Sequence, residues 1–179
     1  MTLPRTHMTL TSGNLALLDP KNPEDDPVVP LVVVSGRPVD LPHGVVYVLR
    51  EDLPLVEELI TTKSWWDTVD ILAIHVVGPI LKAHPKEIRK WNKRWMTSDN
   101  LWLNRTAILF QLTWKEETDK ELLFANIERH ADHKDFFIRK AIGWSLRTLA
   151  ETDPAAVKAF VRSHTLAPLS EREALRKIE

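Results

Sequence analysis

Residues 64–70 read SWWDTVD, which sets the carboxylate of Asp70 four positions after the indole of Trp66. Side chains four apart share one face of a helix, so this aromatic and this acid belong to one patch of surface. Such a patch is either a product of amphipathic packing or the beginning of a site. A second candidate lies in FFIRKAIGWSLRTLA, where Lys140, Trp144 and Arg147 make a ridge along the edge of an apolar stripe. A tryptophan between two cations at a core margin suits the wall of a groove, although a lone shoulder tryptophan is more often core packing. A third is PKEIRKWNKRW, whose outward faces carry Lys86, Arg89, Lys90, Lys93 and Arg94 against Glu87 alone. Charge runs usually mark a solvated face, but phosphate-backbone binding requires such clustered Lys and Arg. The turn Ser98-Asp99-Asn100 then opens a helix that contains Arg105, and helix N-termini favour anions.

Helical periodicity must position all of these groups. From residue 54 onward it predicts helices over about 54–61, 65–82, 85–96, 101–114, 118–130, 135–151, 153–164 and 170–177. Pro85 and Pro154 suit first helical turns, Asp153 and Ser170 suit N-caps, and Gly78-Pro79 should kink or end the second helix early. Val69, Leu72, Ala73 and Val76 form the apolar stripe of that second helix, with Trp66 and Asp70 on its shoulder. In the 135–151 helix the core face is Phe137, Ile138, Ala141, Ile142, Ser145 and Leu149. Trp91, Trp95, Trp102 and Trp114 read as core. The expected fold class is all-α, with antiparallel helix pairs stacked as a HEAT-like α-solenoid; a generic helical bundle has the same periodicity.

Composition bounds the rest. The chain has 179 residues, 24 Lys plus Arg, 25 Asp plus Glu and no cysteine. One domain with a sizeable core is expected, and disulfides, thiolate metal sites and cysteine nucleophiles are excluded. Residues 1–52 carry 7 of the 12 prolines and a net charge of −3, whereas residues 53–179 carry +2 and all 7 tryptophans. The expected division is therefore a Pro-rich, irregular or β-leaning segment over 1–52 and a helical domain over 53–179. VVPLVVVSG and HGVVYVLR are the short β-type runs of the first. No charged n-region precedes an apolar h-region, and no apolar run reaches ~18 residues, so the expectation is a cytoplasmic protein that does not enter a membrane. His130 and His133, with Asp132 beside them, form a short cluster in a helix–helix turn with no further ligand evident, and no glycine-rich phosphate loop exists. No metal or cofactor is expected.

Four blocks taken together, LPLVEELITTKSWWDTVDILA, SDNLWLNRTAILFQL, FFIRKAIGWSLRTLAETDPAAVKAFV and LAPLSEREAL, resemble the AlkD-like DNA alkylation repair glycosylases over about residues 53–177. The resemblance implies a curved solenoid of HEAT-like repeats with duplex DNA on its concave face. It implies a catalytic aspartate at Asp70, tryptophans against the damaged nucleotide at Trp66 and Trp144, and a DNA-contacting cleft arginine at Arg105. The DNA-facing set on this reading is Lys90, Lys93, Ser98, Arg105, Lys140 and Arg147. Members excise cationic alkylpurines such as 3-methyladenine and 7-methylguanine from double-stranded DNA and leave the lesion stacked. The residue types fit: a cationic purine is already a good leaving group, an ionised carboxylate stabilises the oxocarbenium-like sugar, and indole faces attract cations. A monomer associated with the nucleoid is expected.

Two departures stand out. Residues 1–52 resemble nothing in the family, whose additional N-terminal helices they replace, so the fold is expected to be N-terminally truncated relative to it. Asn104 stands where a second basic residue is expected. The competing functions are a catalytically silent DNA-binding HEAT-like protein and a protein-interaction scaffold.

Overall fold

The computed structural model describes residues 29–30, 47–48 and 50–178. In the N-terminal part Val29–Pro30 pairs antiparallel with Tyr47–Val48, in the register Val29 opposite Val48 and Pro30 opposite Tyr47. The two pairs fall inside the two β-type runs of the sequence; the rest of the expected 1–52 segment, up to residue 46 and at 49, lies outside the described residues. From residue 50 the fold is all-α, and among the described residues no helix is long and apolar enough to cross a membrane.

The helices are α1 (Leu53–Thr61), α2 (Trp66–Leu72), α3 (Gly78–Ala83), α4 (Pro85–Met96), α5 (Leu101–Leu109), α6 (Lys120–Arg129), α7 (Phe136–Leu149), α8 (Pro154–Ser163) and α9 (Pro168–Leu175). Local chemistry explains most of their ends. Pro54, Pro85, Pro154 and Pro168 sit in first turns, where a missing N–H costs nothing. Asn100, Asp119, Asp135 and Asp153 each accept a backbone N–H of the turn that follows. Ser170 is not the cap the sequence suggests. Pro168 starts α9 two residues earlier, and the fully buried Ser170 hydroxyl instead donates to the Arg139 carbonyl at 3.0 Å, tying α9 to α7.

The predicted break at Gly78-Pro79 takes a different form. α2 continues into a π-helical segment, Ala73–Val77, and then into α3 without interruption. The Gly78 N–H reaches back five residues to the Ala73 carbonyl, as a widened turn requires. Residue 78 must also lack a side chain, because a Cβ there would drive into the Phe110 carbonyl oxygen at the end of α5.

α5 is the axis of the molecule, buried from Leu103 through Leu109. Leu103, Ala107 and Phe110 face a core shared with α1 to α4, and Ile108 and Leu109 face a second core shared with α6 to α9. The π segment divides the same way, with Val76 and Val77 in the first core and Ala73 and Ile74 in the second. A reciprocal amide pair, Asn92 with Asn126, also holds the Ala107 carbonyl and locks α4, α5 and α6 together. α5 ends at Leu109 rather than near residue 114. Gln111 turns to hold both the N–H and the carbonyl of Asp119, and Lys115 adopts a φ of 54°.

Candidate active site

Asp70 enters the structure from the last full turn of α2, Arg105 from the second turn of α5. The Arg105 guanidinium meets the Asp70 carboxylate edge to edge, with Nε to Oδ1 at 2.7 Å and Nη2 to Oδ2 at 2.8 Å. Asp70 is 8% exposed and Arg105 4%, so the pair is screened from solvent. Arg105 Nη1 donates to the Phe137 carbonyl at the start of α7, so three elements meet at one guanidinium. Two parallel charge-assisted bonds fix the carboxylate in plane. Each of its oxygens keeps acceptor capacity after accepting one such bond, so the carboxylate can still orient a water or face a developing positive charge.

The elements that carry this pair also carry exposed aromatic side chains. Trp66, one turn before Asp70, is 44% exposed, Trp65 54% and Phe136 57%. Phe137 gathers the rings other than Trp66: its own ring packs edge-on to Trp65 at 5.8 Å, against Trp102 at 5.2 Å and against Phe136 at 5.6 Å. Trp65 is held extended between α1 and α2, and its carbonyl accepts the Val69 N–H. The first turn of α7 is set by Asp135, which accepts from Phe137 N at 2.7 Å and Ile138 N at 3.4 Å.

Sequence reasoning did not single out Trp65, Phe136 or Phe137. The signal available was the doubled aromatic, WW at 65–66 and FF at 136–137, in which an amphipathic helix can bury only part of each pair. Phe137, expected in the core, is half-buried and joins this cluster instead.

The remaining predicted residues are placed as follows. Trp144 lies two turns beyond Phe137, half-buried against the second core. Lys140 and Arg147, on either side of it, both meet Glu173 of α9. The bond from Lys140, followed by that from Arg147 and opposed by burial, holds the Glu173 carboxyl below its ordinary range. Lys90 pairs with Glu87 at 3.3 Å and sits 5.4 Å from the Trp91 ring, whereas Lys93 is exposed. Ser98 lies in the α4–α5 turn, where its hydroxyl accepts the Asn100 N–H. Asn104, in place of a base, donates to the Trp95 and Ser98 carbonyls and closes that turn. Among the described residues no group of three or more His, Cys, Asp or Glu side chains is placed to hold a metal.

The family model described as DNA alkylation repair enzyme matches residues 43–178, beginning ten residues before the resemblance seen in the sequence. A solved structure of a predicted DNA alkylation repair enzyme from Enterococcus faecalis superposes with a TM-score of 0.68 at 32% identity, covering 72% of this chain. The chain spans 60% of that protein's length. No curated protein matches. A family match over most of the helical chain, and a shared fold at this identity, support one conclusion: the chain belongs to the DNA alkylation repair enzyme family.

Proposed function

We propose that this protein is a DNA glycosylase that hydrolyses the N-glycosidic bond of cationic alkylpurines, such as 3-methyladenine and 7-methylguanine, in duplex DNA without flipping the base. On this reading the helices stack as HEAT-like antiparallel pairs. The observation that carries the proposal is the Asp70 carboxylate, held by the Arg105 fork one helical turn from the exposed Trp66, in a chain of the DNA alkylation repair family.

In the proposed reaction the bond between C1′ of the sugar and the purine nitrogen breaks, and its electron pair neutralises the cationic ring. The purine is therefore the leaving group without needing a strong general acid. Asp70 stabilises the positive charge that develops on the sugar and orients the water whose oxygen bonds to C1′; the water proton passes to the carboxylate or to solvent. Trp66 and Trp144 supply aromatic faces, each worth ~0.5–2 kcal/mol toward a nearby cation. Arg105, with three donors already committed inside the protein, acts by holding Asp70 in plane. Lys93, exposed on α4, is free to meet the DNA backbone.

Release of 7-methylguanine from methylated duplex DNA tests this directly. The unmodified protein releases the base, and Asp70→Asn lowers the rate by about 10²–10³, the usual consequence of losing one charge-stabilising group. DNA binding holds or tightens in the same variant, because a negative charge has been removed. Excision that survives Asp70→Asn rejects the mechanism. Binding without any excision supports instead a catalytically silent DNA-binding protein.

A further inference from the structure

α7 and α9 approach each other closely because residue 143 is glycine. A Cβ there would lie 2.5 Å from Glu173 Cβ and 3.0 Å from the Ser170 carbonyl oxygen. The approach lowers the Glu173 carboxylate between two cations seven residues apart on α7. Lys140 Nζ is 3.1 Å from Oε1, and Arg147 Nη1 donates to Oε2. The Glu173 side chain is 14% exposed, whereas those of Lys140 and Arg147 are 38% and 20% exposed. Trp144 stands between them on the same helical ridge.

The chemistry of this fork is specific. A carboxylate offers two oxygens that share one negative charge. A phosphodiester offers two non-bridging oxygens that share one negative charge, so it satisfies the same pair of donors. We propose that Lys140 and Arg147 form a seat for one DNA backbone phosphate beside Trp144, and that Glu173 occupies this seat in the free protein. Duplex DNA reaches the two cations only by displacing the carboxylate. This rests on the reading of the protein as one that acts on duplex DNA. It also accounts for two ridge cations that are otherwise committed within the molecule: Glu173 keeps them oriented and lowers the affinity for undamaged duplex.

The test is binding of an unmodified fluorescein-labelled duplex across a series of salt concentrations, with excision of 7-methylguanine from a methylated duplex measured with the same protein preparations. Glu173→Gln keeps the side-chain shape and removes the charge. It binds the duplex more tightly, and log affinity falls more steeply with log salt, by about 0.9 for each additional phosphate that the protein neutralises. Adding Lys140→Gln and Arg147→Gln to that variant abolishes the increase, whereas the same two changes with Glu173 intact leave affinity and slope nearly unchanged. Unchanged or weaker binding by a folded Glu173→Gln protein overturns the proposal. If that variant does not fold, the Lys140→Gln, Arg147→Gln protein decides. A flattened salt slope there overturns the occupation of the seat by Glu173; an unchanged slope joined to tighter binding by Glu173→Ala supports it, and an unchanged slope without that tightening overturns it. Tighter binding without excision leaves the seat standing and rejects the glycosylase reading, and excision with no change on Glu173→Gln does the reverse.

Discussion

At Asp70 and Arg105 a single paired interaction serves both stability and chemistry. Two charges have been taken out of water, and their forked geometry and the Phe137 carbonyl offset that cost. Removing either partner leaves the other buried without compensation. Arg105→Ala is therefore expected to lower the unfolding free energy by about 3–5 kcal/mol in urea titration. Because its guanidinium is enclosed, this change leaves the salt dependence of DNA binding nearly unaltered while excision falls. A stability loss under about 1 kcal/mol would show the pair to be screened like a surface ion pair, and a flattened salt slope would put Arg105 on DNA.

At the scale of elements, the π segment and the first turn of α7 are the parts that set the site. Alanine normally stabilises a helix interior by about 1 kcal/mol over glycine. At residue 78 the sign reverses, because the new Cβ meets the backbone oxygen of Phe110, which cannot rotate away. Gly78→Ala is expected to cost about 1–3 kcal/mol, measured as a lower denaturation midpoint; a rise in midpoint would mean that α5 shifts freely. Asp135 acts on the site through backbone geometry. Its cap holds the turn whose Phe137 carbonyl engages Arg105, so Asp135→Ala should cost about 0.5–2 kcal/mol and reduce excision. Asp135→Asn, another good cap, should restore both, and failure to do so would argue against the capping role.

Over the whole molecule, several ion pairs give stability a defined pH dependence. The bond from Arg94, together with that from the Trp95 indole, holds the Glu57 carboxyl below its ordinary range against the effect of burial. Lys120 lowers Asp153, Lys177 lowers Glu151 and Lys140 lowers Glu173. A lowered carboxyl contributes stability above its unfolded pKa and loses it as pH falls through the folded value. His130 is lowered as well, chiefly by burial and then by His133 and Arg129, and its Nε2 finds no hydrogen-bond partner among the described residues. Its neutral form is favoured by folding, so its contribution is present above the ordinary value of 6.5 and declines as pH falls below it. The urea midpoint should therefore drop in two stages on acidification, slightly below pH 6.5 and more steeply below about pH 4.5. His130→Gln should remove the upper stage. A midpoint constant from about pH 7.5 to about pH 3.5 would contradict this account.

Local grammar carries much of this protein. The helices over 53–175, the turns opened by Pro85 and Pro154 and the Asp153 cap follow from residues within one turn of each other, and so does the common face of Trp66 and Asp70. The family, too, was legible, because four blocks in order survive as sequence. Periodicity states which face a side chain is on, but not which helix it meets there. Arg105 lies 35 residues from Asp70 and Glu173 lies 26 from Arg147; only the packing of α5 on α2 and of α9 on α7 brings these charges together. The same packing turned two cations expected on DNA toward Glu173, set the Phe137 ring among Trp65, Trp102 and Phe136, and recruited Ser170 from a cap to an interhelical bond. A proline or a capping aspartate acts on its own turn, so sequence determines its work; a long charged side chain takes whichever partner the tertiary structure brings within reach.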